Sequence, residues 1–284
     1  MNEILPANML VGMRVGVSVS GTPDLGRLGH AESHLRRTLG AVTRQVFVAG
    51  GTLAYGGHLE STGYTNFLAS ELERYGAGGR PLLVCLPWSE HRSLTLSELR
   101  KRAALVPWTV VYLSLDGTEM SASDGRGEEA VPESDPTVRR IGLTAMRRYV
   151  AGRTNGQVLI GGKRDGFSGE IPGTMEEALI ALESRNPLYL AAGFGGATLD
   201  IVRALGVDDC EWFPPFDGER PTNPRFDNGL ERLRSVARSE SWKGLNNGLT
   251  DEQNRRLAAS YRPDEVAALV SLGLGRVRAD SRNR

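Results

Sequence analysis

The sequence has few cysteines and no excess of charge of either sign. Two of its 284 residues are cysteine, Cys85 and Cys210, and neither belongs to a CxxC or Cys/His spacing that indicates zinc. The 34 basic residues equal the 34 acidic residues in number. This balance predicts no strongly basic face, so nucleic acid is not the expected partner.

Long apolar stretches are also absent. No run approaches the ~20 apolar residues that cross a bilayer, and the amino terminus lacks the basic and apolar regions of a signal peptide. We therefore expect a cytoplasmic protein with reduced thiols and no membrane partner. No HExxH motif or paired spacing occurs among the four histidines, so no metal site is expected: His30, His34, His58 and His91.

Glycine is abundant instead. The chain has 35 glycines, or about 12% of its 284 residues, against a usual content of ~7%. They follow no period, so they indicate many tight loops rather than a fibrous repeat.

Short apolar strands alternate with amphipathic helices along most of the chain. Strands are predicted at 13–20, 45–49, 80–86, 109–115, 157–160 and 186–192. Near-continuous apolar strands separated by helices are typical of a parallel sheet with helices on both faces. We therefore predict an α/β, Rossmann-like fold, which binds ligands at the carboxyl ends of its strands.

Two segments depart from this alternation. Residues 116–136 are acidic and hold almost no core residues, which predicts a mobile loop, either disordered or acting as a lid. From residue 207 the chain is rich in turns and then helical, near 228–239, 250–259 and 263–272. We predict one domain over 1–284, with a core at 13–206, a helical extension at 207–273 and a frayed tail at 274–284.

Glycine clusters follow four of the predicted strands, and in a parallel sheet all four would lie on the carboxyl edge. Backbone that must approach a ligand closely explains such clusters, and a nucleotide with its phosphates is the usual ligand. No GxxxxGK[ST] or GxSxG motif is present, and no acid follows at the dehydrogenase spacing. The clusters are Ser20-Gly21, Gly50-Gly51 with Gly56-Gly57, Gly161-Gly162, and Gly193 with Gly195-Gly196.

The stretch from Gly161 to Glu177 is the most informative of these. It follows an apolar strand and leads into a helix that begins near Gly173 and Thr174. The free N–H groups and partial positive charge of a helix start suit a phosphate. The acids Glu176 and Glu177 have a plain alternative, because first-turn acids stabilise any helix start.

This stretch and its neighbours resemble the SLOG superfamily. The resemblance lies in Ile160-Gly-Gly-Lys163, Gly169-Glu-Ile-Pro-Gly-Thr-Met-Glu-Glu177 and Gly193-Phe-Gly-Gly-Ala197, with support from Thr52-Leu-Ala-Tyr-Gly-Gly57. It runs from about Arg14 to Gly206, and loosely includes Asn247 to Glu252. The superfamily joins DprA-like DNA-binding proteins, LOG phosphoribohydrolases, and the ligand-sensing domains of TRPM channels and Thoeris antiphage effectors.

The resemblance implies a Rossmann-like pocket for NAD-derived nucleotides such as ADP-ribose and its cyclic forms. The ligand-contacting Arg, Lys and Glu of the sensing branch match Arg147, Lys163 and Glu177. Each has an adjacent competitor of the same charge, which the sequence alone does not exclude: Arg148, Arg164 and Glu176. Tyr55 and Phe194 lie beside glycine turns and are candidates for stacking on adenine, although core positions are about as common for such residues.

Three functions remain open at this point. The first is a sensor or sequestering protein for an ADP-ribose-type nucleotide in bacterial defence or NAD signalling, with no required cofactor, acting through homo-oligomers or a separate effector. The second is a nucleotide N-glycosidase or phosphoribohydrolase using Glu177 and Arg147, which is weakened because Pro172-Gly-Thr-Met-Glu-Glu177 lacks the second glycine of the LOG motif. The third, a DNA-handling protein, conflicts with the neutral charge.

Overall fold

The computed structural model describes residues 8–57, 63–75, 81–104, 108–206, 223–237 and 244–282. Within these ranges, seven strands form one sheet in the order β5-β4-β3-β2-β1-β6-β7. Six strands are mutually parallel, and β5 pairs antiparallel to β4 at one edge. The strands are β1 (Arg14–Ser20), β2 (Thr52–Gly56), β3 (Leu82–Leu86), β4 (Thr109–Leu113), β5 (Glu119–Met120), β6 (Gln157–Gly161) and β7 (Leu188–Ala191).

Helices cover both faces of this sheet, which confirms the predicted α/β, Rossmann-like class. They are α1 (Asp24–Arg27), α2 (Glu32–Val48), α3 (Tyr64–Tyr75), α4 (Trp88–Arg92), α5 (Leu96–Ala104), α6 (Pro136–Ala151), α7 (Gly173–Glu183), α8 (Gly196–Ala204), α9 (Pro224–Ala237), α10 (Asp251–Ala259) and α11 (Pro263–Arg282).

Strand β7 shows why its sequence is apolar throughout. Its alternate residues Tyr189 and Ala191 pack in the core formed with α2 and α11, whereas Leu188 and Leu190 pack with α7, α8 and α9. Successive side chains of a strand point to opposite faces. All four residues are buried because both faces are covered.

The predicted second strand at 45–49 is wrong, because these residues form the end of α2. The buried positions Leu39, Val42 and Val46 continue the helical spacing of three or four residues, and their burial against the sheet outweighs the β propensity of the segment. Gly50, with φ +79°, ends the helix, and its N–H donates to the Phe47 carbonyl at 3.0 Å. Gly50 and Gly51 therefore precede β2 and lie at the opposite edge from Gly56.

Residues 116–136 are more structured than their composition predicts. Apart from β5, backbone bonds join Leu96 N–H to Glu128 O at 2.9 Å and Val131 N–H to Arg92 O at 2.8 Å. The Arg126 guanidinium also donates to the His91 carbonyl at 2.7 Å. These bonds lie against α4 and α5, so the prediction of a disordered loop is wrong: polar side chains and backbone replace an apolar core in holding the segment.

The carboxyl-terminal helices pack on the sheet as predicted, but α11 continues to Arg282 instead of fraying from residue 274. Leu274 is fully buried, and Arg278 donates to the Asn8 carbonyl at 2.9 Å. The turn-rich segment 207–222, with Cys210, and the end of the helix predicted at 228–239 lie outside the described residues. In the part of the chain that the structure describes, no helix is long and apolar enough to cross a membrane.

Candidate functional site

A cavity of about 520 Å³ lies at the carboxyl edge of the sheet. The ends of β1 and β2, one side of α6, the loop after β6 and the start of α7 line it. The carboxyl edge is where parallel α/β sheets bind ligands. Its lining residues include Ser18, Ser20, Tyr55, Gly56, Glu133, Arg139, Leu143, Met146, Arg147, Lys163, Phe167, Gly173, Thr174 and Glu177.

Arg147, rather than Arg148, faces this cavity. Its side chain is only 10% exposed, and its guanidinium donates to the Glu176 carboxylate. Nε lies 3.9 Å from Glu177 Oε1. Arg148 is exposed and lines a different surface depression on the other side of α6. The guanidinium of Arg147 is thus buried, oriented and directed at the site.

The two acids of α7 have different surroundings. Glu176 is 6% exposed, does not line the cavity, and accepts bonds from Thr144 and Arg147. Glu177 lines the cavity and accepts a bond from Gln157 Nε2 at 2.6 Å. Glu176 therefore orients Arg147, whereas Glu177 is the carboxylate available to a ligand.

Burial raises the pKa of Glu177 to about 7, although Arg147 and hydrogen bonds from Ser18 and Gln157 favour the ionised form. A carboxyl group with a pKa near neutrality can accept a ribose hydroxyl bond when ionised, and can exchange a proton near pH 7.

Gln157 was not predicted as a site residue. It pairs with Gly16 across β1 and β6, and a Cβ on Gly16 would overlap the Gln157 amide. The missing side chain lets Gln157 lie across β1 and reach Glu177. The one signal in the sequence was a polar residue, followed by three apolar residues, at the start of a buried strand.

Lys163 and Arg164 also have different environments. Lys163 is exposed and lines the cavity. Arg164 is buried and bonds to Asp24 Oδ2 and Asp200 Oδ2, each at 2.6 Å. The two carboxylates raise the pKa of Arg164 against the opposing effect of burial. Arg164 therefore fixes the loops at the strand ends, and Lys163 is the member of this pair that lines the cavity.

The turn Gly193-Phe-Gly-Gly196 does not line the cavity, contrary to prediction. Phe194 is fully buried, so it is not available to stack on a ligand. The start of α8 is already occupied, because Gly196 N–H donates to Asp24 Oδ2 at 2.8 Å. A Cβ on Gly193 would overlap the backbone of Ser260, and one on Gly195 would lie 2.5 Å from Asp24. These glycines allow packing within the protein.

Of the remaining predicted glycines, some line the cavity and others do not. Gly56 and Gly173 line the cavity, but Gly21 and Gly57 do not. Gly161 and Gly162 have φ of +69° and +107°, and their added Cβ atoms would lie 2.5 Å from Ser20 O and Thr174 Oγ1. The glycine pair after β6 thus serves a tight turn rather than contact with a ligand.

The start of α7 retains the features expected of an anion site. Its N-cap, Pro172, supplies no side-chain bond to the first-turn N–H groups. Thr174 lines the cavity and is 4% exposed, and its hydroxyl has no hydrogen-bond partner among the described residues. Gly173 allows the Arg147 guanidinium to approach, since a Cβ there would lie 2.7 Å from Nη2. Cationic and N–H donors therefore converge at this helix start.

Tyr55 lines the cavity but is only 7% exposed. Burial, together with the Glu177 carboxylate, raises the pKa of its hydroxyl. Its ring packs against Gly57, where an added Cβ would lie 2.5 Å from the ring. Tyr55 therefore leaves little of its ring accessible for stacking on a ligand.

Metal binding has no support in the described part of the chain. No three His, Cys, Asp or Glu side chains there lie close enough together to hold an ion. Cys85 is buried in β3 as a free thiol. Two cavity residues that sequence reasoning missed, Arg139 and Phe167, lie on α6 and in the loop after β6.

A Rossmann-like parallel sheet with a cavity at its carboxyl edge, lined by both basic and acidic side chains, has the architecture in which α/β proteins bind small ligands. The chain belongs to the SLOG cluster2 family, whose sequence model matches residues 9–257. This match confirms the SLOG resemblance and associates the chain with a nucleotide-related function. No significant match was found among curated proteins.

Proposed function

We propose that the cavity binds an NAD-derived nucleotide of the ADP-ribose type. The observation that carries this proposal is the convergence of Arg147, Lys163, the start of α7 and Glu177 on one cavity. Its volume of about 520 Å³ lies within the ~300–1,000 Å³ typical of small-molecule sites.

The diphosphate and the ribose of such a ligand would contact different groups in the cavity. Lys163 and Arg147 supply positive charge for a diphosphate, and the open N–H groups of α7 supply donors. Glu177, with Ser18 beside it, offers acceptors for ribose hydroxyls. A diphosphate flanked by ribose satisfies both sets, which favours ADP-ribose and cyclic ADP-ribose over a free base.

The role that fits best is a sensor or sequestering protein, in bacterial antiphage defence or NAD signalling. Binding would be transmitted by homo-oligomerisation or by a separate effector protein. No cofactor is required for this role.

Hydrolysis is the second candidate, and the near-neutral pKa of Glu177 favours it. An N-glycosidase needs a carboxyl group beside the ribose to stabilise an oxocarbenium-like centre or to activate water. Arg147 would then hold the phosphate. The absence of the second LOG-motif glycine after Pro172 remains an argument for binding over hydrolysis.

One experiment distinguishes these roles. ADP-ribose, cyclic ADP-ribose, NAD and AMP are titrated calorimetrically, and each mixture is then separated by chromatography. Binding of unchanged ADP-ribose supports the sensor, and release of free adenine or nicotinamide supports the hydrolase. If none of the four binds at about 100 μM, corresponding to roughly −5.5 kcal/mol, the nucleotide proposal is wrong.

A further inference from the structure

Phe167 lies on the cavity wall in a position that neither the fold nor the family match explains. It belongs to the loop between β6 and α7, is half-buried, and lines the cavity. The guanidinium carbon of Arg225 lies 4.7 Å from the centroid of its ring. Arg225 itself does not line the cavity, so Phe167 contacts both this guanidinium and the cavity.

The ring is held in place by contacts with the start of α9. Arg225 Nε donates to the Glu170 carbonyl at 3.0 Å, and Asn223 Nδ2 donates to Asp165 Oδ1 at 3.2 Å. These two bonds join α9 to the loop on either side of Phe167. The aromatic face is therefore largely ordered before any ligand arrives, which reduces the entropic penalty of binding.

The other aromatic residues considered for stacking are poorly placed. Phe194 is fully buried, and Tyr55 is 7% exposed with its ring against Gly57. Phe167 is more exposed than either and shares its loop with Lys163. A ring and a cation on one short loop match a base and a phosphate on one ligand.

We propose that Phe167 is a specificity-determining residue that stacks on the base of the bound nucleotide, with its phosphates toward Lys163 and the start of α7. The inference rests on the proposed nucleotide function and names the part of the ligand that this loop recognises. Stacking on an aromatic face tolerates any base, because every base has a π face. The loop therefore selects a base-bearing nucleotide over a sugar phosphate, without choosing among bases.

The test compares Phe167→Ala, Phe167→Leu and Phe167→Tyr with the unaltered protein. Each is titrated with ADP-ribose, with AMP, GMP and CMP, and with ribose 5-phosphate, which lacks a base. We expect Phe167→Ala and Phe167→Leu to weaken base-containing ligands by roughly five- to a hundredfold. Phe167→Tyr should retain wild-type affinity, since it keeps the ring. The affinity for ribose 5-phosphate should be the same in all four proteins.

The outcomes separate this inference from the proposed function. Wild-type affinity for ADP-ribose in Phe167→Leu overturns the stacking role and leaves ADP-ribose binding intact. Equal weakening of ribose 5-phosphate also overturns it, because the effect would then not involve the base. Binding of AMP, GMP or CMP in a Phe167-dependent way, without binding of ADP-ribose, supports stacking and overturns the ADP-ribose assignment. If no base-containing ligand binds the unaltered protein, both are wrong.

Discussion

At the scale of single residues, one member of each pair of adjacent, like-charged residues lines the cavity and the other does not. Arg147, Lys163 and Glu177 line the cavity, whereas Arg148, Arg164 and Glu176 do not. The sequence identified each pair of neighbours but did not show which member of the pair lines the cavity. On a helix, adjacent residues point about 100° apart, and packing against the sheet decides which one faces the cavity. Lys163 rather than Arg164 lines the cavity because Arg164 forms buried ion pairs with two carboxylates that are distant in sequence, Asp24 and Asp200.

Glu177 gives the first prediction at this scale. Its pKa, about 7 in the folded protein, is above the ordinary 4.5, so the folded state binds more protons between these values and stability falls as pH rises through them. Glu177→Gln, which cannot ionise, should be more stable than wild type by about 2–3 kcal/mol at pH 8, and by much less at pH 5. Urea unfolding at both pH values measures the difference.

Glu183→Gln is the matched control for this experiment, because Glu183 is an exposed acid in the same helix. Its effect should be small at both pH values. A Glu177→Gln variant with the same stability difference at pH 5 and pH 8 would show that the carboxyl group has an ordinary pKa.

The pair Lys163 and Arg164 gives the second prediction. Arg164→Ala removes the buried guanidinium that bonds to the buried carboxylates of Asp24 and Asp200, which should destabilise the fold by about 3–5 kcal/mol. Lys163→Ala should change the free energy of unfolding by at most about 0.5 kcal/mol, since Lys163 is exposed. Chemical denaturation of the two variants side by side checks this. Comparable losses in both would contradict the separate roles of these residues.

At the scale of elements, the strand and helix pattern was largely predictable, and the errors have physical causes. Residues 45–49 resemble a strand because they are β-branched and apolar, yet burial of Val46 and Phe47 makes them the end of α2. Residues 116–136 lack a core but are held by polar contacts. Many glycines of the described ranges, such as Gly193 and Gly195, are explained by packing against residues that are distant in sequence, which no local pattern reveals.

The start of α7 gives the prediction for this scale. A Cβ on Gly173 would meet the flexible end of Arg147, 2.7 Å from Nη2, and not backbone. Gly173→Ala should therefore displace the guanidinium from Glu176, lower stability because that carboxylate is buried, and weaken ADP-ribose binding by about tenfold through one lost charge-assisted bond. Gly21→Ala, where an added Cβ has open space, is the control for calorimetry. Wild-type affinity in Gly173→Ala would argue against Arg147 as a ligand contact.

At the scale of the whole molecule, the sheet depends on a helix that lies beyond the family match. The match ends at residue 257, whereas α11 begins at Pro263 and packs against α2 on one face of the sheet. The sequence predicted a helix here but ended it too early, because Leu274 and Val277 are isolated apolar residues in a mostly polar tail. Its burial is set by the face of α2, which is far away in the chain.

Removal of α11 tests this dependence. Val266, Val270 and Leu274 are fully buried, and Ala267 and Leu269 are nearly so. Removing these side chains would cost on the order of 5–10 kcal/mol of hydrophobic stabilisation. This loss is comparable with the whole free energy of unfolding of a typical protein, ~5–15 kcal/mol. A chain ending at Arg262 should lose its cooperative thermal transition in circular dichroism. A chain ending at Arg278 retains Leu274 and should keep the transition. A cooperative transition in the shorter chain would contradict this account.

The affinity of ADP-ribose for the unaltered protein and for Lys163→Ala tests the central claim most directly. Lys101→Ala is the control, because Lys101 is an exposed lysine on α5 that does not line the cavity. Loss of a charge-assisted contact should weaken binding by roughly ten- to a hundredfold in Lys163→Ala, with no change in Lys101→Ala. Equal affinities in all three proteins, or no binding by the unaltered protein, would contradict a nucleotide site in this cavity.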